Sequence, residues 1–308
     1  MDLSTVDLTT AVGSVALPNP VMTASGTAGH GTELAPYVEL STLGAVVVKS
    51  LSPDPWAGNA APRVHETPAG MLNSVGLQGP GVEAWLADDL PALQALGARI
   101  VVSIWGRSVD EYARAAAMLA AAPAEVIAVE VNLSCPNVES RGSMFAHSAA
   151  ATTEAMAATA ACNRPRWAKL SPNVTDLPSI AAAAREGGAE AVTLVNTLMG
   201  LLIDPDTRRP RLGNGGGGLS GPAIHPVAVR AVYETHAAHP DLPIIGVGGV
   251  ASGADAAELL LAGASAVQVG TATFADPRAP ARVLKELTEW MRRQADQRLE
   301  TIIGGAHD

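Results

Sequence analysis

The feature that most constrains the fold of this chain is a regular alternation of short apolar runs with helix-like segments. The apolar runs are rich in Val, Ile and Ala and lack polar alternation, as expected of strands buried on both faces of a parallel sheet. Strands are predicted over residues 21–25, 45–48, 100–104, 126–131, 166–170, 191–195, 243–249 and 266–271. Eight such units within 308 residues predict one (β/α)8 TIM barrel domain that covers residues 1–308.

The segments between these runs complete the predicted architecture. Helices are predicted over residues 32–41, 82–96, 109–121, 176–186, 226–238, 253–261 and 278–297. Residues 8–20 predict a short N-terminal β-hairpin, and residues 51–81 and 198–222 predict long ordered loops over the C-terminal face. A doubly wound open sheet is the alternative, but no G-x-G-x-x-G sequence opens the first strand–helix turn, which disfavours its dinucleotide-binding form.

Composition and charge argue against several functional classes. The net charge of −10 disfavours a nucleic-acid surface, and the chain lacks the run of about 18 apolar residues that a membrane span needs. Two cysteines, Cys135 and Cys162, provide no disulfide framework, which is typical of a reducing cytoplasm. Residues 1–7 are acidic and lack the basic start of a signal peptide, so we expect a cytoplasmic protein. No C-x-x-C pair or His cluster indicates a metal site.

Polar and small residues follow the predicted strands, where a barrel places its catalytic groups. Lys49 and Lys169 end the second and fifth strands, where scarce water requires an anionic or hydrogen-bonding partner. One such lysine is explained by a head group that extends to solvent, but the two together indicate a ligand with negative charge or carbonyl oxygens. Gly248-Gly249 and Gly270-Thr271 end the last two strands, where barrels commonly bind phosphate, although tight turns explain either pair alone.

The fourth strand runs into the sequence Val-Asn-Leu-Ser-Cys-Pro-Asn at residues 131–137. Pro136 cannot continue a central strand, so the chain turns there, and local hydrogen bonds of Asn and Ser would explain the polar residues as an ordinary turn. Cys135 lies among these polar residues at the expected active face, where a thiol serves as a nucleophile or as a general base; the sequence leaves both open. Cys162, on an Ala-rich helix, is expected to be a buried structural thiol.

Taken together, these motifs resemble the catalytic subunit of class 1 dihydroorotate dehydrogenases, the soluble, cysteine-containing class. The resemblance covers nearly the whole chain in order, and the sequence at residues 132–137 is its most specific part. The matching positions are Asn19-Pro20, Ala24-Ser25-Gly26, Lys49-Ser50, Pro62-Arg63, Glu66-Thr67, residues 72–77, residues 132–137, Lys169, residues 195–197, residues 217–221, residues 246–249 and residues 269–271.

The resemblance implies an FMN-containing barrel that oxidises (S)-dihydroorotate to orotate in de novo pyrimidine (UMP) biosynthesis. It assigns Cys135 as the general base at C5, while C6 passes hydride to flavin N5, and it makes Lys49 the second catalytic residue. The implied FMN-binding residues are Ser25, Lys49, Ser50, Ser103, Asn132, Lys169, Val195, Gly221, Gly248, Gly249, Gly270 and Thr271. The implied residues for dihydroorotate and orotate are Lys49, Asn73, Ser74, Val75, Gly76, Leu77, Asn132, Asn137, Asn196 and Thr197.

Residues 217–224 are most similar to the B-type enzymes, which pass electrons to NAD through a partner subunit that carries an iron–sulfur cluster and FAD. The resemblance therefore implies a homodimer, or a heterotetramer with such a subunit. The chain departs from the family at Gly79 and Ser103, where Asn is common, and at Phe145-Ala146-His147, which replaces a usual Phe-Gly-Thr. The departure at Gly79 removes a polar group near the expected substrate loop.

Three other functions fit parts of the pattern. The first is an FMN oxidoreductase that acts on another dihydropyrimidine, because related enzymes share the same core. The second is a flavin-free, phosphate-binding barrel lyase or isomerase with a Schiff-base lysine at Lys169. The third is a barrel that binds a partner without catalysis. The colour of the purified protein separates these classes, since a flavoprotein is yellow.

Overall fold

The protein is described by a computed structural model that covers residues 6–134, 144–294 and 297–307. The strands are β1 (Thr10–Val12), β2 (Val15–Leu17), β3 (Val21–Thr23), β4 (Val46–Val47), β5 (Val64–Thr67), β6 (Gly70–Asn73), β7 (Ile100–Ile104), β8 (Val126–Asn132), β9 (Arg166–Lys169), β10 (Ala191–Leu194), β11 (Leu198–Gly200), β12 (Ile203–Asp204), β13 (Arg209–Pro210), β14 (Gly217–Ser220), β15 (Ile244–Val247) and β16 (Ala266–Val269).

The centre of the fold is a parallel sheet of eight strands in the order β3-β16-β15-β10-β9-β8-β7-β4. The two outer strands of this order meet and close the sheet. The backbone N–H of Gly44 donates to the carbonyl of Val21 over 2.8 Å, and Met22 bridges to Ala45 in parallel. The predicted (β/α)8 barrel is therefore confirmed, and the open-sheet alternative is wrong.

Helices alternate with the barrel strands and pack on their outer faces. They are α1 (Val82–Asp88), α2 (Leu90–Ala95), α3 (Val109–Met118), α4 (Ala149–Ala158), α5 (Leu177–Glu186), α6 (His225–Ala238), α7 (Gly253–Leu261), α8 (Ala272–Ala275) and α9 (Ala279–Met291). Among the residues that the structure describes, no helix is long and apolar enough to cross a membrane.

Three helix predictions need correction. The last helix, predicted over residues 278–297, ends at Met291, and residues 292–294 form turns and a bend. The helix predicted over residues 32–41 is wrong, because these residues form turns, with only a 3-10 turn at Leu40–Thr42. Pro36 lacks the N–H that a helix interior needs. The helix predicted over residues 82–96 is divided at Asp89 into α1 and α2, and Pro91 lies in the first turn of α2, where proline is tolerated.

The N-terminal hairpin, formed by β1 and β2, is confirmed and fills one end of the barrel. Val12, Val15 and Leu17 are buried against the inward-facing side chains near the start of the barrel strands, among them Trp167 and Ile245. This apolar plug closes the N-terminal end. The opposite end, where the strands finish, is therefore the end available to ligands.

The two long excursions over the C-terminal face are ordered, as predicted, but they contain a sheet that the sequence did not indicate. Four antiparallel strands in the order β11-β14-β6-β5 form what we term the cap sheet. Its central pairing joins β6 to β14 with Leu72 opposite Leu219, and Leu72 is buried. The cap sheet thus links residues 64–73 to residues 198–220 above the strand ends.

Candidate active site

A cavity of about 300 Å³ lies between the C-terminal strand ends and the cap sheet. Its walls combine residues that follow the barrel strands with residues of the cap. The residues predicted from the sequence that line it are Ser25, Lys49, Ser50, Asn73, Val75, Gly76, Leu77, Asn132, Lys169, Val195, Asn196, Thr197, Gly221, Gly248, Gly249, Gly270 and Thr271. The structure therefore brings together most of a set that is scattered over about 250 positions of the chain.

Two described residues of the predicted site do not line the cavity. Ser74 and Ser103 are buried outside its wall. Cys135 and Asn137 lie outside the described residues, so the structure reports nothing on their placement. Several strands end one or two residues earlier than predicted, since residues such as Val195 leave the sheet ladder and turn towards the cavity.

Asn132, the last residue of β8, is the centre of an amide network in the cavity wall. Its side-chain oxygen accepts from Nδ2 of Asn196 over 3.2 Å and from the backbone N–H of Ser134 over 3.2 Å. Its own Nδ2 donates to Oγ of Ser50 over 3.3 Å. From behind, the buried Tyr112 hydroxyl donates to the carbonyl of Asn132 over 2.6 Å. These bonds fix the amide plane, and side-chain amides arranged this way can pair with a planar ligand that carries both donors and acceptors.

A chain of serine hydroxyls continues from this network. Oγ of Ser50 lies 2.8 Å from Oγ of Ser103 and 3.2 Å from Oγ of Ser25. Ser103 is fully buried and reaches the cavity only through Ser50. Ser103 therefore positions Ser50 from behind and does not itself line the wall.

Lys49 follows β4 and supplies a positive charge that no described acidic residue pairs with at ion-pair distance. Burial is the main cause that lowers the pKa of Lys49 below its ordinary value, and the charge of Arg63 lowers it further, while Glu33 opposes the shift. A half-buried cation of this kind gains most from an anionic ligand, because the ligand restores the interactions lost from water.

Lys169, at the end of β9, has a different environment. Its Nζ donates to Oε1 of Gln268 over 3.3 Å and lies 3.5 Å from Oε1 of Glu130. Glu130 is fully buried, and its Oε2 accepts from Nε2 of Gln268 over 2.7 Å and from the Thr193 hydroxyl over 3.1 Å. Glu130, Thr193 and Gln268 were not predicted as site residues from the sequence. A charged residue inside the apolar run 126–131 was the available signal, since a buried carboxylate needs a partner.

The glycines after β15 are required by close packing of the backbone. A Cβ added to Gly248 would lie 2.7 Å from Cβ of Ala228, and one on Gly249 would lie 2.6 Å from Cβ of His225. Both glycines also have positive φ angles, 140° and 71°. Close packing against α6 and the positive φ angles therefore explain why both residues are glycine. The same two glycines also line the cavity.

The backbone at this corner of the cavity offers hydrogen-bond donors. The N–H groups of Gly249, Gly270 and Thr271 donate to no described residue. The Thr271 hydroxyl donates to Oγ of Ser220 over 2.8 Å, which joins the end of β16 to the cap sheet. Free backbone donors beside glycines form the usual kind of site for a phosphate group.

Charge distribution and apolar walls define what the cavity accepts. Among the described lining residues, Lys49 and Lys169 are the charged ones, and no carboxylate is present. Apart from Val75, Leu77 and Val195, the apolar part of the wall was not predicted from the sequence, because these residues lack a polar signal. The part that was not predicted consists of Ala24, Val64, Met71, Met144, Ile224, Val247 and Phe274. The cavity therefore suits an anionic ligand with a flat apolar part.

Comparisons with known proteins agree with this geometry. A family model described as "Dihydroorotate dehydrogenase" matches residues 7–291. The chain is 49% identical over 298 residues, 96% of each chain, to "Dihydroorotate dehydrogenase B (NAD(+)), catalytic subunit" of Desulforudis audaxviator. It is 48% identical to the protein of the same name from Alkaliphilus oremlandii, over 95% of this chain and 96% of that one. It is also 46% identical, over 97% and 98%, to a Solibacter usitatus protein whose name includes "dihydroorotate dehydrogenase A (fumarate)".

Proposed function

Because the chain belongs to the dihydroorotate dehydrogenase family, we propose that it is an FMN-dependent enzyme that oxidises (S)-dihydroorotate to orotate in de novo pyrimidine (UMP) biosynthesis. The observation that carries the proposal is a cavity with two lysines, a fixed amide network and no described carboxylate. Dihydroorotate combines a carboxylate with a planar imide, and both parts match these groups.

The residues present fit FMN. The free backbone N–H groups of Gly249, Gly270 and Thr271 suit its phosphate, and the apolar wall suits its ring. Lys169 offers a donor for the ring's oxygen edge from beneath the cavity. When bound, FMN supplies the acceptor for the hydride that leaves C6 of the substrate.

The protein's own residues bind and orient the substrate and remove its proton. Lys49 binds the substrate carboxylate and holds positive charge beside the reacting ring, which favours the charge that builds up during oxidation. Asn132 and Asn196, locked to each other over 3.2 Å, orient the imide edge, and Asn73 adds to them from the cap sheet. Cys135 takes the proton from C5 as the general base. This role rests on the family's motif at residues 132–137, since Cys135 lies outside the described residues.

We infer that electrons then leave through a separate subunit that carries an iron–sulfur cluster and FAD and reduces NAD. Two relatives are named as catalytic subunits of the NAD(+)-linked B enzyme, which supports the existence of a partner subunit. The described residues contain no cluster of three or more His, Cys, Asp or Glu that could hold a metal. The A-type reaction with fumarate, carried by one homodimer, is the second candidate, because of the similarity to the Solibacter usitatus protein.

The decisive experiment mixes the purified yellow protein with dihydroorotate under anaerobic conditions and follows flavin bleaching. Wild type is compared with Cys135→Ser, and Cys162→Ala serves as the matched control, because the buried Cys162 thiol lies away from the cavity. We expect rapid bleaching in wild type and the control, and severe slowing in Cys135→Ser with flavin retained. A colourless protein would refute the flavin assignment, and bleaching only by another dihydropyrimidine would refute the substrate.

A further inference from the structure

A buried carboxylate beneath the cavity floor has no role in the function proposed above. Glu130 projects into the barrel interior from β8, two residues before Asn132, and is fully buried. A carboxylate this far from water is costly unless hydrogen bonds and a cation compensate its charge. Its partners are side chains from β9, β10 and β16, so side chains of four barrel strands meet at this one group.

The partners share the two oxygens of Glu130 unequally. Oε2 accepts two hydrogen bonds, from Gln268 over 2.7 Å and from Thr193 over 3.1 Å. Oε1 accepts no hydrogen bond from a described residue and faces the ammonium group of Lys169 at 3.5 Å. Gln268 also accepts from Lys169 over 3.3 Å, so its amide connects the two charged groups.

This arrangement leaves one direction open at Lys169. An ammonium group has three N–H donors. One of them is donated to Gln268, and Glu130 attracts the ammonium group at 3.5 Å without a hydrogen bond; both partners lie in the barrel interior, while Lys169 itself lines the cavity floor and is 5% exposed. A further donor is available to a ligand above, and the negative charge of Glu130 compensates the positive charge of Lys169 from below.

We propose that Glu130 is a positioning residue for Lys169, and that it makes Lys169 a directed hydrogen-bond donor with compensated charge. The two lysines then have distinct tasks. Lys49, which has no acidic partner at ion-pair distance among the described residues, supplies the uncompensated charge that binds an anion. Lys169 donates a hydrogen bond in a fixed direction at the cavity floor, and Glu130 compensates its positive charge.

The flavin readout of this proposal rests on the proposed function. Glu130→Gln keeps the side-chain shape but removes the negative charge, so Lys169 acts on the bound flavin as an uncompensated cation. Such a cation favours the reduced, more negative flavin. We expect the equilibrium constant for two-electron reduction to rise about tenfold, which corresponds to a midpoint potential higher by ~30 mV. In the Lys169→Met background, the same change at Glu130 is expected to leave the potential unchanged.

Two further variants separate charge from shape. Glu130→Asp keeps the charge at a greater distance from Lys169 and is expected to shift the potential in the same direction by less than Glu130→Gln. Thr193→Val removes a hydrogen bond to Glu130 without changing charge, and it is expected to leave the potential at the wild-type value. If Glu130→Gln does not fold, the sign of the shift in Glu130→Asp decides the proposal.

A second measurement does not depend on flavin. Urea unfolding of the full chain as purified is compared for Glu130→Gln, Lys169→Met and the double variant. Removing one member of a buried ion pair leaves the other uncompensated, so each single change is expected to destabilise the protein, and the double variant less than their sum. Additive losses of stability, or an unchanged potential in Glu130→Gln, would overturn the proposal. If the purified chain held no flavin, the proposed function would fail, while the unfolding cycle would still decide the role of Glu130.

Discussion

Replacement of Lys49 by Met tests most directly whether the positive charge of Lys49 binds an anionic ligand in the cavity. Lys49 is half-buried and has no acidic partner at ion-pair distance among the described residues, so its positive charge is available to a bound carboxylate. Truncating one member of a close, desolvated charge pair costs about 2–5 kcal/mol of binding free energy. Because Lys49 is only half-buried, we take the lower end, ~2 kcal/mol, which weakens orotate binding about 30-fold.

The same substitution is expected to stabilise the ligand-free protein at neutral pH. The pKa of Lys49 is lowered in the folded state from 10.5, chiefly by burial, so the protonated side chain is less favourable in the folded than in the unfolded chain. In wild type, Lys49 therefore causes the free energy of unfolding to increase as the pH rises through its folded-state pKa towards 10.5. Lys49→Met lacks this pH-dependent gain and also lacks the burial cost of the charge.

The assay is titration of the purified protein with orotate, followed by the flavin spectrum, together with urea unfolding from pH 7 to about pH 10. Lys285→Met is the matched control, because Lys285 lies on the exposed face of α9 with 78% of its side chain accessible. The control is expected to bind orotate as wild type does. An orotate dissociation constant for Lys49→Met within about threefold of wild type, less than 0.7 kcal/mol, would refute the reasoning.

Further predictions follow from other parts of the site. Thr271→Val removes a hydroxyl at the phosphate corner and is expected to weaken FMN binding by about 1 kcal/mol in apoprotein titrations; equal FMN affinity would contradict the assignment. Gly248→Ala is expected to lower the free energy of unfolding by roughly 1–3 kcal/mol, because its Cβ meets Ala228 at 2.7 Å; a wild-type urea midpoint would disprove this. The isolated chain is expected to oxidise dihydroorotate with an artificial dye but to form NADH only with an iron–sulfur/FAD partner, whereas fast fumarate reduction by the chain alone would favour the A-type.

The barrel could be predicted from the sequence because each strand is an apolar run and each strand end is polar. Lys49, Asn132 and Lys169 were found in this way, since a polar residue that ends a buried run has few structural explanations. The specific assignment to FMN and dihydroorotate came from resemblance at residues 132–137 and elsewhere, and not from the pattern alone.

What the sequence could not give are the contacts that depend on distant pairing. The cap sheet pairs β6 with β14, whose residues are about 145 positions apart, and neither strand has the apolar alternation that would identify it. Glu130 stands inside a predicted strand, but its partners Thr193 and Gln268 lie on other strands, so only the barrel closure reveals the network. Residues 32–41 have helix-forming composition, yet packing holds them as turns around Pro36.

The cap sheet also places both long excursions against any ligand bound in the cavity. Met71 and Asn73 on one excursion and Ser220 on the other line the same cavity, so a bound molecule touches both halves of the β6–β14 pairing. Because ligand contacts span both strands, we expect occupancy to oppose local separation of the two strands. Backbone amide hydrogen exchange within the β6–β14 ladder should slow on ligand binding to a similar extent in both strands. The cap sheet thereby acts as one cooperative unit whose exchange rate reports whether the site is full.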